Sequence, residues 1–440
     1  MAPDPSPLAD VLPESRVGRL LRPLARFLRV ESAGGVVLFA CTVVALALAN
    51  SPAAGWYHAL WQTPVALELG PLRLAGGLGH LVINEGLMTV FFFVVGLEIK
   101  RELVAGELRD PRKAALPVAA ALGGMVVPAA VYLALMHGRP GARGWGVPMA
   151  TDIAFVVGVM ALLGRRVPFG LKIMLLSLAI ADDIGSVLVI AAFYSDHLNP
   201  WMLAAAAAGL GLCRVLRRLG VRSSAVYVAV GAVVWLATYK SGVHPTVAGV
   251  ALGLLTPSGV WVGRTALGLA LTDAAARLRN DGDDEVGAAD LELLRFAARE
   301  AVSPLERLEH ALHPWVSFVV MPLFALANAG VTIRAGAMAD PVAAAVALGL
   351  VVGKPAGIVL FSWLAVKAGV ARLPAGVTWR MLVGGGFLAG IGFTMSLFVA
   401  GLGLEGEHLT AGKVGTLVGS VCSAVIGTVV LVMVTKKSHG

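Results

Sequence analysis

The sequence predicts an all-α polytopic membrane protein, with twelve transmembrane helices and one small β-hairpin outside the bilayer. Three observations carry this prediction. Of 440 residues, 58% are hydrophobic and only 14% charged, with a mean hydropathy of +0.82, whereas a soluble domain carries about 25% charged residues. Apolar segments recur near 33–50, 78–97, 114–136, 145–164, 169–194, 200–216, 223–239, 243–256, 311–333, 342–366, 379–402 and 413–435. About 20 residues cross a bilayer as a helix, so all but the short eighth segment suffice by length. Finally, the basic residues collect in alternate loops, as a regular weave of spans requires.

Residues 1–32 form an N-terminal arm carrying Arg16, Arg19, Arg22, Arg26 and Arg29. With the apolar run ending in Ala47-Leu48-Ala49, the arm imitates a secretory leader. It is long and contains proline and acidic residues, and the apolar run is long enough to span, so a retained first helix is expected. After it, Val65 to Leu74 alternates around Gly70-Pro71, a β-hairpin pattern. Positive charge then follows span two (Lys100, Arg101, Arg109, Arg112, Lys113), span four (Arg165, Arg166, Lys172), span six (Arg214, Arg217, Arg218, Arg222) and span ten (Lys367, Arg372, Arg380), and ends the chain at Lys436 and Lys437. The positive-inside rule makes both termini cytoplasmic and puts the hairpin on the periplasmic side. The net charge of +8 is therefore accounted for by orientation, not by nucleic acid. Residues 33–435 read as one transmembrane domain, followed by a cytoplasmic tail at 436–440.

Residues 257–308 are a cytoplasmic insertion. Its run Asn280-Asp281-Gly282-Asp283-Asp284-Glu285 lacks the spaced ligands and terminal glutamate of a calcium loop, and an amphipathic stretch follows from Asp290 to Ala301. Cys41, Cys213 and Cys422 lie far apart in apolar stretches, so neither a disulfide framework nor a metal knuckle is indicated.

Charge inside the spans is the functional signal. Asp182 and Asp183 sit in the middle of span five, Thr151-Asp152 follows Pro148 in span four, and Lys354-Pro355 lies in span ten. Each carboxylate at the bilayer centre costs at least about 2.5 kcal/mol, so the set needs cavities, counter-charges or bound cations. Adjacent helical residues point about 100° apart, so Asp182 and Asp183 divide the work: one meets Lys354, the other faces water. Span four is interrupted near Pro148, and span eleven near Gly384-Gly385-Gly386, Gly390 and Gly392. Irregular backbone at membrane depth is tolerated only when buried in protein or lining a cavity. Spans three to five and ten to twelve would be inverted repeats, with Asp152 offsetting half-helix N-termini and Lys354 the C-termini.

The residues resemble the NhaA-type sodium/proton antiporter family of bacterial inner membranes. The matching strings are Val95 to Leu103 (VGLEIKREL), Ala150 to Phe155 (ATDIAF), Leu178 to Gly185 (LAIADDIG), Ser241 to His244 (SGVH), Arg307 to Trp315 (RLEHALHPW), Gly353-Lys354-Pro355 and Gly390 to Ser396 (GIGFTMS), spread over nearly the whole chain from about residue 30. The resemblance implies twelve helices with broken, crossed fourth and eleventh helices, and an electrogenic exchange of sodium or lithium for protons, activated at alkaline pH. The generalisation that paired interrupted spans mark a transport site is itself drawn partly from this family. Asp182 and Asp183 match its essential aspartate pair, the second being the ion ligand; Thr151 and Asp152 match the broken-helix positions, and Lys354 the central lysine. Glu98, Arg101, Glu102, Glu309, His310 and His313 match a cytoplasmic pH-sensing cluster, and His244 a periplasmic-side histidine linked to pH response. Two departures stand out: the loop before Glu309 is longer than usual, and Glu85 replaces a familiar aspartate.

The chemistry agrees. Sodium and lithium are hard cations that take oxygen ligands, which Asp183, Asp182 and Thr151 supply; no resident cofactor is expected. A carboxylate removed from water holds protons more tightly, so one site can bind either a proton or a cation, and competition gives antiport. An intramembrane aspartyl protease also uses embedded aspartates, but no Gly-x-Gly-Asp string occurs in a span. A sodium-coupled solute symporter would add polar groups for an organic substrate, which the central spans largely lack. The expected partners are ions, membrane lipid and a second copy docked through the hairpin.

Overall fold

The computed structural model describes residues 31–69, 72–195, 198–221, 223–280, 288–333 and 335–436. The arginines of the N-terminal arm, the Gly70-Pro71 turn, Arg222, most of the acidic run and Lys437 lie outside the described residues. Helix α1 (Glu31–Ala49) bends by 114° into α2 (Ala54–Gln62). Strands β1 (Pro64–Leu69) and β2 (Leu72–Gly77) follow as the expected antiparallel hairpin, in register from Pro64↔Gly77 to Leu69↔Leu72.

The first half of the bundle is α3 (Leu78–Ala105), α4 (Pro111–Met136), a 3₁₀ stretch (Ala142–Met149) running into α5 (Ile153–Leu163), and α6 (Phe169–Phe193). Helices α7 (Pro200–Arg218), α8 (Ser224–Ser241) and α9 (Thr246–Leu255) complete it. The insertion contributes α10 (Arg264–Asn280) and α11 (Ala288–Glu300), the latter covering the expected amphipathic stretch. Then come α12 (Pro304–Asn328), the short α13 (Ala335–Ala339), α14 (Pro341–Lys367), α15 (Trp379–Ala389), α16 (Phe393–Gly403) and α17 (Gly406–Lys436).

Among the described residues, seven helices are long and apolar enough to cross a membrane, or up to nine if each bent pair is one span. The protein is a multi-pass membrane protein. The expected sixth to eighth segments are also helical, but α7 ends on the basic turn Arg217–Arg218, and α8 and α9 offer only shorter apolar runs, Ala225–Ser241 and Thr246–Leu255.

Between membrane helices there is little hydrophobic drive, so close backbone approach decides the packing. Helix α4 meets α14 at facing glycines: a Cβ on Gly357 would lie 2.0 Å from the Gly123 carbonyl oxygen, and one on Gly123 2.1 Å from that of Gly357. The contact fixes the height of Lys354, one turn earlier on α14. Just before Lys354, α14 widens into a π-helical turn (Gly349–Gly353), and α3 begins with another (Leu78–Leu87). Such turns re-aim the side chains that follow them and recur at functional sites.

The base of the insertion is tied to the bundle. Trp261 and Val262 each donate a backbone hydrogen bond to the Glu300 carbonyl at 3.1 Å, and Leu305 donates to that of Pro257 at 3.1 Å. Ser303 and Glu306 then form a reciprocal capping box, with Pro304 in the first turn, so α12 starts at a sequence-defined point.

Candidate functional site

Two chain breaks meet in the interior. The 3₁₀ stretch that contains Pro148 ends at Met149, residues Ala150 to Asp152 are extended, and α5 starts at Ile153. On the other side, α15 and α16 are bent by 50° at Gly390 to Gly392. The interruption is confined to that short segment: Gly384, Gly385 and Gly386 are helical, and serve packing against Leu431, Leu175 and Pro355.

Backbone groups freed at a break need partners, because lipid supplies none. Here each break supplies them to the other. Asp152 donates its backbone N–H to the Ile391 carbonyl at 2.7 Å, and the Thr151 hydroxyl donates to the Ala389 carbonyl at 3.0 Å. The Asp152 carboxylate accepts from Phe155 N at 3.2 Å through Oδ1, and through Oδ2 from Thr394 N at 3.0 Å and from the Thr394 hydroxyl. One carboxylate therefore caps the N-termini of both α5 and α16, where partial positive charge collects.

Lys354 serves the opposite dipole end. Its ammonium donates to the carbonyl of Met149, the last residue of the 3₁₀ stretch, and to Asp182 Oδ2 at 2.8 Å. Both side chains are fully buried. The two aspartates differ in their partners. Asp182 faces the lysine but leaves Oδ1 without a hydrogen-bond partner, while Asp183 accepts no hydrogen bond among the described residues and retains 3% exposure. Asp183 lies within electrostatic range of Asp182, Glu98, Lys354 and Asp152. Unsatisfied carboxylate oxygens at this depth, beside the oxygen of Thr151, form a donor set suited to a hard cation or a proton.

The remaining candidates separate into three places. Arg101 ion-pairs with the buried Glu309, and Glu98 lies within electrostatic range of both, so α3 and α12 meet here as expected. Glu102 turns toward α6, accepting from Ser177 Oγ at 3.3 Å and from Glu107 N at 3.0 Å. His310 and His313 are exposed and do not join the cluster; His310 Nδ1 instead lies 2.9 Å from the Glu306 carbonyl oxygen of its own helix. Helical phase turns His310, one residue on, about 100° away from the buried Glu309; His313, four residues on, is nearly in phase with Glu309 but lies a turn further along α12, where the side chain is exposed. His244 lies at the other end of the bundle, beside Glu85.

The family described as Na+/H+ antiporter 1 matches residues 25–431. The chain belongs to that family. It is 50% identical over 436 residues to the Na(+)/H(+) antiporter NhaA 1 of Acidiphilium cryptum, covering 98% of this chain and 97% of that one. The Na(+)/H(+) antiporter NhaA of Rhodopirellula baltica is also 50% identical, with 97% of each chain covered. That of Rhizobium meliloti is 49% identical, over 97% of this chain and 98% of its own. Family membership makes the protein a transporter rather than an enzyme, and sets aside the protease alternative. Sequence reasoning assigned no role to Thr394 or Ser396. The signal was the Gly390-Ile391-Gly392 interruption, after which the first hydroxyl side chains were bound to sit at a half-helix terminus; Ser396 donates to the Val147 carbonyl at 2.7 Å.

Proposed function

We propose that this antiporter extrudes sodium or lithium in exchange for protons at the Asp182–Asp183 pair. The observation that carries the reading is the Asp183 carboxylate, buried at the meeting of two broken helices with no hydrogen bond of its own. With a proton on it, the carboxyl group is neutral and tolerated there. With the proton gone, the charge calls for a cation, and Asp182 Oδ1 and the Thr151 oxygen complete an oxygen-lined site. Proton and sodium thus exclude one another, and access from one side at a time turns that competition into exchange.

Asp152 and Lys354 hold the two breaks together so that the site can change the side it faces. Lys354 either only pairs with Asp182 or also carries a proton. More than one proton per sodium makes the cycle electrogenic. Glu98, Arg101, Glu102 and Glu309 line the cytoplasmic approach and set activation at alkaline pH, with His310, His313 and His244 as outlying titratable groups. Twelve spans in two inverted repeats, both termini in the cytoplasm and location in the bacterial inner membrane complete the reading. Among the described residues the hairpin is a two-stranded sheet, β1 with β2, and a strand edge without a third strand suits it to pairing with a second copy.

Everted vesicles test the assignment. Wild type should dissipate a proton gradient when sodium or lithium is added, without any other solute. Asp183→Asn keeps the shape but loses the charge and should abolish this, while Asp183→Glu should retain weakened exchange. Persistent sodium-dependent dissipation with Asp183→Asn would show that the site lies elsewhere.

A further inference from the structure

A second polar cluster lies at the hairpin end of the bundle, where the central site does not reach. Glu85 on α3 is 5% exposed, and His244, just before α9, is 9% exposed. Glu85 Oε1 lies 3.4 Å from His244 Nε2 and 3.4 Å from Nδ1 of His80, whose side chain is 68% exposed at the mouth. Neither contact is a formed hydrogen bond: Glu85 Oε2 and His244 Nε2 are both buried without a partner. On its other side His244 is held in place, with Nδ1 2.8 Å from the Thr246 hydroxyl. Asn328 on α12 donates to Asn84 Oδ1 at 2.8 Å. His80, Asn84, Glu85, His244 and Asn328 line a cavity of about 50 Å³ whose far wall is Leu397, Phe398, Gly401 and Leu402 of α16.

A buried acceptor left unpaired carries a desolvation penalty, larger for a charged one, so the arrangement calls for an occupant. We propose that this cavity is an outer binding site for the transported monovalent cation, where the Glu85 carboxylate and the amide oxygens of Asn84 and Asn328 hold sodium. The inference goes beyond the central exchange site but rests on the reading that sodium is the cargo. The donor chemistry fits: one carboxylate and two side-chain amides supply oxygen, which sodium prefers, whereas imidazole nitrogen is a poor ligand for it.

The titratable groups facing Glu85 are few. His80 comes from its own helix, His244 from the start of α9, and Tyr239 on α8 is within electrostatic range. Helix α12 offers the amide of Asn328, and the lining stretch of α16 is apolar. The same helix links the cavity to the breaks: Leu397 is one turn along α16 from Thr394, which grips Asp152.

Direct sodium binding to purified, detergent-solubilised protein tests this, using radioactive sodium at alkaline pH. Asp183→Asn should retain one weak, saturable sodium site. Adding Glu85→Gln should remove that remaining binding, whereas adding Glu85→Asp instead should keep it in weakened form, which a merely misfolded variant cannot show. If wild type binds sodium and Asp183→Asn binds none, or if the residual binding ignores Glu85→Gln, the outer site is overturned and the central one stands. No binding to wild type would overturn both.

Discussion

The ion pair of Lys354 with Asp182 concentrates the chemistry of the central site in one contact. Breaking a buried pair leaves one charge unpaired and costs about 3–5 kcal/mol, more than the intact pair contributes. Lys354→Gln should therefore lower thermal stability markedly in detergent, and Lys354→Gln with Asp182→Asn should recover most of the loss. A variant of unchanged stability with altered proton stoichiometry would instead make Lys354 a proton carrier. Thr394 gives a smaller, cleaner test. Thr394→Val removes only the hydroxyl donated to Asp152 and leaves the backbone N–H bond, so the expected loss is about 1–2 kcal/mol with weakened sodium affinity. Thr394→Ser should restore both, as read by thermal unfolding and exchange at graded sodium.

At the scale of elements, the close approach of α4 and α14 positions the lysine. A methyl group at residue 357 would enter the carbonyl of Gly123, so Gly357→Ala should push the helices apart and lift Lys354 from Asp182. Overpacking of this kind costs about 1–3 kcal/mol. Thermal stability and exchange should fall together, whereas Gly158→Ala on α5, where an added Cβ meets nothing within 4 Å, should be nearly silent. Periodicity and composition made the long apolar helices and the hairpin legible in the sequence. The π-helical turn of α14 was not, for there Gly349 and Gly353 pack closely on Pro148 and Pro128, partners distant in the chain.

Over the whole molecule, the proposed function makes the meeting of α3 and α12 the cytoplasmic approach of protons to the central site. Glu309→Gln removes a negative charge and leaves Arg101 uncompensated there, so protons should leave that approach at lower pH. The rising limb of exchange against pH should move toward acid, with maximal exchange mostly intact. A profile superimposable on wild type at both saturating and low sodium would assign the pH dependence to competition at Asp183 alone. The proposed role of the hairpin is between molecules. Deleting residues 64–77 should convert a dimer to monomers on size-exclusion chromatography and leave exchange by each copy intact.

The sequence by itself determined the membrane class, the helices, the hairpin and the identity of the buried charges. Each follows from local rules: apolar length, alternation, and the expense of a carboxylate in hydrocarbon. It also foretold that the two aspartates would part, since neighbours on a helix cannot share one direction. Only the tertiary structure decided which of them meets Lys354, that Asp152 caps two half-helices at once through Thr394, and that His310 and His313 stand outside the buried pair of Arg101 and Glu309. Those outcomes depend on rotational phase and close packing between helices far apart in the chain. A one-dimensional pattern does not encode them residue by residue.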